Sequence, residues 1–69
     1  MERKKLNNAK IRSAGYDERN QVLEIEFSSG QVLQYLRVSN ETYRRLVAAP
    51  NAAAYYEDHI AEDYTSRRV

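Results

Sequence analysis

The chain has no cysteine and no tryptophan, and its 69 residues include only two glycines, one proline and one histidine. Without cysteine it has neither a disulfide nor a thiolate metal site, so a small core, good local signals or self-association must stabilise it. No apolar run approaches the ~20 residues of a membrane span. No hydrophobic signal segment follows the basic N-terminus. We therefore expect one domain, in the cytoplasm and without a membrane.

Residues that carry chemistry are scarce. The single histidine, His59, has only Asp58 and Glu62 nearby in the sequence, and a metal site needs more convergent ligands. The serines show no nucleophile-elbow or triad pattern, and two glycines do not make a phosphate-binding loop. We expect no cofactor, no metal and no catalytic residue, and hence a protein that is not an enzyme.

The charge is distributed unevenly along the chain. Residues 1–12 carry five basic side chains against one acid, whereas residues 13–66 carry four arginines against nine acids. Basic ends have two interpretations: they are solubilising tails, or they bind phosphate or acidic protein surfaces. Under the second interpretation the contacting residues are Arg3, Lys4, Lys5, Lys10, Arg12, Arg67 and Arg68.

The middle of the chain predicts three strands. Residues 1–8 lack periodicity and are expected to be a flexible basic tail, with one domain over residues 9–69. Strands are expected at 10–16, 22–27 and 32–38, separated by turns at 17–20 and 28–30. Three-residue hairpin loops place their last residue in the left-handed region, which suits Asn20 and Gly30.

These loops fix a register for each hairpin. The second loop pairs Ile25 with Leu33, and the first pairs Ile11 with Phe27 and Gly15 with Leu23. One face is then apolar and contains Ile11, Leu23, Ile25, Phe27, Leu33 and Tyr35. The opposite face is expected to hold Arg12, Ala14, Glu24, Glu26 and Gln34, and an apolar cluster of Tyr16, Val22 and Leu36. That cluster either stabilises the sheet or binds a partner.

Two short helices follow. Ser39-Asn40 is a candidate N-cap, and Tyr43, Leu46 and Val47 have helical spacing up to the residue before Pro50. A second helix is predicted from near Asn51 to Glu62. The sequence thus predicts an α+β domain of order βββαα, a three-stranded antiparallel meander with two helices packed on one face. Of the six tyrosines, Tyr35, Tyr43 and Tyr56 are expected in the core, and Tyr16, Tyr55 and Tyr64 are freer to bind.

The order and spacing of several short segments resemble the KTSC domain, named for a C-terminal extension of some lysyl-tRNA synthetases and also found as stand-alone bacterial or phage proteins. The resemblance covers roughly residues 8–69. It rests on Gly15-Tyr16-Asp17, Leu23–Phe27, Gly30, Tyr35, Val38, Tyr43, Leu46, Tyr55-Tyr56, Ile60, Tyr64 and Arg67-Arg68-Val69. The chain departs from the family's pattern at Leu33, Ser39 and Asn51-Ala52-Ala53.

Two functions are expected for a non-catalytic module of this kind. The synthetase association implies RNA binding, in which the basic residues contact phosphates and Tyr16 or Tyr55 stacks on a base. The alternative is protein binding through Tyr16, Val22 and Leu36, with the protein as a monomer or a weak homodimer.

Overall fold

The computed structural model describes residues 2–69 and shows an α+β architecture. Five antiparallel strands form one sheet in sequential order, β1-β2-β3-β4-β5. Two helices between β4 and β5 cover one face of it, which leaves the other face open. The elements are β1 (Arg3–Lys5), β2 (Ile11–Asp17), β3 (Val22–Phe27), β4 (Val32–Tyr35), α1 (Asn40–Ala48), α2 (Ala52–His59) and β5 (Ser66–Arg68).

The prediction of α+β structure with two helices is confirmed, whereas the prediction of three strands is wrong. Residues 3–5, expected in a flexible tail, form β1 against β2, and the C-terminal segment returns to form β5 against β4. Both extra strands consist of three exposed, mostly basic residues. Neither has an alternating apolar pattern of its own, so the sequence does not reveal it as a strand. Each is a strand only because it pairs with the strand beside it.

The hairpin of β3 and β4 has the predicted register. Leu23 lies opposite Tyr35 and Ile25 opposite Leu33. Gly30 has a φ of 97° and its N–H donates to the Phe27 carbonyl, which closes the three-residue loop. Glycine is needed here because a residue with a Cβ adopts this conformation only at a cost.

The register predicted for the hairpin of β2 and β3 is wrong over most of its length. Tyr16 lies opposite Leu23 and Ala14 opposite Ile25, one residue away from the prediction. The loop has four residues, and its left-handed residue is Gln21, with a φ of 56°, rather than Asn20. The Asp17 carboxylate organises this loop, because it accepts hydrogen bonds from the backbone N–H groups of Arg19 and Asn20.

A β-bulge corrects the shift at the far end of β2. The pairing changes between Ile11 and Ser13, so Ile11 returns to its predicted place opposite Phe27. Because of the shift, Ala14 and Tyr16 lie on the helix-covered face rather than on the open face where the sequence placed them. Ala14 is fully buried, and Tyr16 packs against the core.

The helices begin as predicted. The Ser39 hydroxyl accepts a hydrogen bond from the Thr42 N–H at the start of α1, and Asn51 caps α2 through the Ala54 N–H. The second helix ends at His59 rather than near Glu62, and Ile60 follows as a buried C-cap. Neither helix in the described part of the chain is long and apolar enough to cross a bilayer. The buried core joins the helix-covered face of the sheet to both helices and consists of Ile11, Ala14, Leu23, Ile25, Tyr35, Val38, Leu46, Ala52, Ala53 and Ile60.

Strand β1 approaches β2 closely at Gly15. A Cβ on Gly15 would lie 2.5 Å from the Glu2 carbonyl oxygen and 2.8 Å from Cγ of Arg3. We therefore expect Gly15→Ala to displace β1 and to lower the free energy of unfolding by about 1–3 kcal/mol, the usual cost of overpacking. Urea unfolding of the wild type and the variant measures the difference.

Deletion of residues 1–5 provides the matched control for this substitution. In the shortened chain the added methyl group has no β1 to contact, so Gly15→Ala should cost much less there than in the full chain. An equal cost in both backgrounds would contradict the close approach of β1 and β2.

Candidate functional site

The open face of the sheet carries a row of polar side chains that crosses all five strands. The paired positions are Arg3, Gly15, Glu24, Gln34 and Arg67, one on each strand in order. Each side chain of this cross-sheet row contacts the next side chain along the row, and Gly15, which has none, is skipped. The Glu24 carboxylate lies 3.4 Å from Nε of Arg3 and accepts a hydrogen bond of 2.9 Å from Nε2 of Gln34. Nε of Arg67 donates to the Gln34 amide oxygen at 2.9 Å.

Glycine at position 15 makes this row continuous. Because Gly15 has no side chain, Arg3 reaches over β2 to the carboxylate on β3. Glu24 is only 9% exposed, and its carboxylate has a polar partner on each side, Arg3 and Gln34. A buried carboxylate needs such partners, because an unpaired charge in this position costs far more than a paired one gains.

A second cluster on the same face surrounds Glu26. The bulge in β2 directs both Arg12 and Ser13 towards this carboxylate. The Ser13 hydroxyl donates to Oε1 at 2.9 Å, and Nη1 of Arg12 lies 3.6 Å from Oε2. The open face therefore presents arginines that are already held in place by neighbouring oxygen atoms.

The basic residues of the two chain ends do not form one patch. Strands β1 and β5 are the opposite edges of the sheet. They are four strand spacings apart, which is roughly 19 Å. The two carboxylates of the open face, Glu24 and Glu26, lie between these edges. Lys10 is elsewhere, with Nζ 3.8 Å from the Glu57 carboxylate of α2.

Alternation along the edge strands assigns their remaining basic residues to the two faces. Lys5 pairs with Ser13 and lies on the open face, whereas Lys4 pairs with the core residue Ala14 and lies on the helix side. Arg68 pairs with Leu33 and also lies on the helix side.

Tyr35 belongs to the core, and the other five tyrosines are partly buried and pack against it. Tyr16 stacks on Tyr43 with a centroid separation of 5.2 Å, and its hydroxyl donates to the Val38 carbonyl. Tyr35 is 2% exposed, and its hydroxyl bonds that of Tyr56. Tyr55 of α2 is half-buried against His59, with a centroid separation of 4.6 Å. No tyrosine of the described strands lies on the open face.

The structure separates the three residues of the predicted apolar cluster. Tyr16 is on the helix-covered face, whereas Val22 is on the open face and is 8% exposed. Leu36 follows β4 and is half-buried; extension of the β3–β4 register by one residue sets it opposite Val22. These two aliphatic side chains thus expose little apolar surface, because Val22 is buried and Leu36 is half-buried.

The sequence did not single out most of the residues that order the open face. The predicted register places Glu24, Glu26 and Gln34 on the face opposite the apolar one without a role, and it gives no role to Ser13. Their importance depends on the register of β2, which the turn alone did not reveal. The sequence signal that points to them is Gly15, a strand glycine next to a basic segment, because strand glycines mark the close approach of another backbone.

The described residues contain no group of three or more His, Cys, Asp or Glu side chains placed to hold a metal ion. The surface depressions are open. The one that contains Lys10, Phe27 and Tyr56 has a volume of about 390 Å³, and the one that contains Leu36, Arg37 and Tyr64 has a volume of about 460 Å³.

These features define a small antiparallel α+β domain with one helix-covered and one open sheet face. The chain belongs to the KTSC domain family, whose model matches residues 7–64. It is 38% identical over 56 residues to an uncharacterized protein of Stutzerimonas stutzeri (strain A1501), which covers 81% of this chain and 79% of that one.

The crystal structure of the KTSC domain protein YPO2434 from Yersinia pestis has the same fold. It superposes with a TM-score of 0.96 at 26% identity and covers 99% of this chain and 96% of the other. The family model ends short of β1 and β5, whereas the structural superposition includes both edge strands. The five-stranded sheet is therefore shared with this relative.

The buried tyrosines predict a loss of stability at alkaline pH. Burial and the hydrogen bond with Tyr56 raise the pKa of Tyr35, and burial raises the pKa of Tyr16 and Tyr43. The unfolded chain, whose tyrosines titrate near pH 10, loses these protons first. The contribution of these tyrosines to the free energy of unfolding should therefore be constant below about pH 10 and be lost progressively above it.

Tyr35→Phe tests this assignment in urea unfolding at several pH values. The variant should be less stable at neutral pH by about 1 kcal/mol, because it loses the hydrogen bond to Tyr56. It should also lose stability less steeply above pH 10 than the wild type. Identical slopes for the two proteins would contradict the role of Tyr35.

Proposed function

We propose that this KTSC domain is a non-catalytic module that binds another protein through the open face of its sheet. The observation that supports this function is the set of arginines that neighbouring side chains hold on that face, Arg3 by Glu24, Arg12 by Glu26 and Arg67 by Gln34. Arginine is enriched at protein interfaces, and a side chain already fixed in place loses less entropy when it binds. Alternating charges on a surface favour a partner with the complementary pattern.

The same surface is less favourable for RNA. A phosphate backbone that ran from one basic edge to the other would pass the Glu24 and Glu26 carboxylates. Sequence-tolerant RNA binding also uses exposed aromatic rings for stacking. Of the two tyrosines expected to stack on a base, Tyr16 is stacked on Tyr43 and bonded to the Val38 carbonyl, and Tyr55 is half-buried against His59 on α2. The geometry therefore supports protein binding over the RNA binding implied by the synthetase association.

Affinity capture from an extract of the source organism tests this function. The double variant Arg12→Ala/Arg67→Ala removes two arginines of the open face, and Arg19→Ala/Arg44→Ala removes two from the first hairpin loop and α1. Both change the net charge equally, so they are matched. We expect at least one protein that the wild type and the control retain to be lost with the open-face variant.

Two results would contradict the proposal. In the first, the open-face variant, shown to be folded by its unfolding transition, captures the same proteins in the same amounts as the control. In the second, nuclease treatment of the extract abolishes every specific capture, which would indicate that RNA mediates it.

A further inference from the structure

The outer edge of β1 has free backbone hydrogen-bonding groups. The Leu6 N–H donates to the Arg12 carbonyl at 2.9 Å, so these two residues form a hydrogen-bonded pair of the β1–β2 ladder. In an antiparallel ladder such pairs alternate with pairs that exchange no hydrogen bonds. Lys4 and Ala14 are therefore a bonded pair, whereas the N–H and C=O groups of Arg3 and Lys5 point away from β2. Among residues 2–69 no other strand pairs with this edge.

The side chains of the same strand carry positive charge on both faces. Lys4 lies on the helix side and Lys5 on the open face, and both are exposed. Among the described residues no carboxylate lies within ion-pair distance of either ammonium group. Arg3, in contrast, is bound to Glu24, which fixes β1 against the sheet. The edge is thus ordered before any ligand arrives.

We propose that the edge of β1 binds an extended acidic protein segment, which adds as a sixth strand. The backbone of that segment would pair with the outward groups of Arg3 and Lys5. Successive side chains of a strand point to opposite faces, so two adjacent carboxylates of the segment meet Lys4 on one side and Lys5 on the other. This inference rests on the proposed function, because it also takes the ligand to be a protein. It adds the strand edge that binds the ligand and the acidic character of the bound segment.

Charge selects this occupant over a second copy of the chain. Both sheet edges are basic, so pairing of β1 with β1 or with β5 of another copy sets like charges opposite each other. Lysines on an edge strand also repel apolar strands and so limit aggregation. Edge β5 is a weaker candidate, because Arg67 is already bound to Gln34 and only Arg68 remains.

The test uses a fluorescein-labelled peptide with two adjacent glutamates flanked by threonine and valine, titrated with the full chain. Lys5→Pro removes the outward N–H and blocks the edge but leaves the β1–β2 hydrogen bonds intact. The matched control, Arg68→Pro, removes one charge and the outward N–H of the other edge. We expect Lys5→Pro to weaken binding by roughly tenfold or more and Arg68→Pro to leave it unchanged.

Lys5→Gln separates the backbone contribution from the charge. It keeps the N–H and loses the ammonium group, so its affinity should lie between those of the wild type and Lys5→Pro. The inference is overturned if the wild type does not bind the peptide, if Lys5→Gln and Lys5→Pro are equally weak, or if Arg68→Pro weakens binding as much as Lys5→Pro. It is also overturned if an oligouridylate binds more tightly than the peptide and loses affinity equally with Lys5→Gln and Lys5→Pro.

The result is independent of the capture experiment. Peptide binding that Arg12→Ala/Arg67→Ala leaves intact would support the edge even if the open face retains no partner. Loss of capture with that double variant, without any peptide binding, would support the open face and reject the edge.

Discussion

The cross-sheet row of Arg3, Gly15, Glu24, Gln34 and Arg67 is the constraint on which the rest of the structure depends. It connects an edge strand with no apolar residues, β1, to the central strand β3 through one ion pair. It continues through an amide to the other edge strand, β5. Exposed ion pairs contribute little to stability, but Glu24 is buried, so the loss of one partner leaves the other unsatisfied.

The parts of the fold that the sequence predicts are those with strong local signals. Gly30 fixes the second hairpin because only a residue that tolerates a positive φ closes that loop, and Ser39 and Asn51 mark both helix starts. The first hairpin gives no such signal. Asp17 organises a four-residue loop whose left-handed residue is Gln21, and glutamine carries no turn preference that reveals it. The predicted pairing of Ile11 with Phe27 is correct only because a bulge compensates for the shift.

This one-residue shift decides the composition of the candidate site. It moves Tyr16 from the open face to the helix-covered face, where it packs against the core, and brings Gly15 into line with Arg3 and Glu24. The edge strands could not be predicted from the sequence for a different reason. Arg3–Lys5 and Ser66–Arg68 have the composition of charged tails, and only pairing with a neighbouring strand makes them strands. The basic residues of the two chain ends therefore lie on opposite edges of one sheet, with carboxylates between them. They do not form a single cationic surface.

Amide hydrogen exchange of β1 tests the central claim most directly. The structure predicts alternation: the Lys4 and Leu6 amides are protected by bonds to β2, whereas the Lys5 amide exchanges freely. Glu24→Ala should release the Arg3 side chain and lower the protection of Lys4. Exchange of all β1 amides at the rate of an unstructured chain would contradict the account, because the N-terminal segment would then be a tail and the sheet would end at β2.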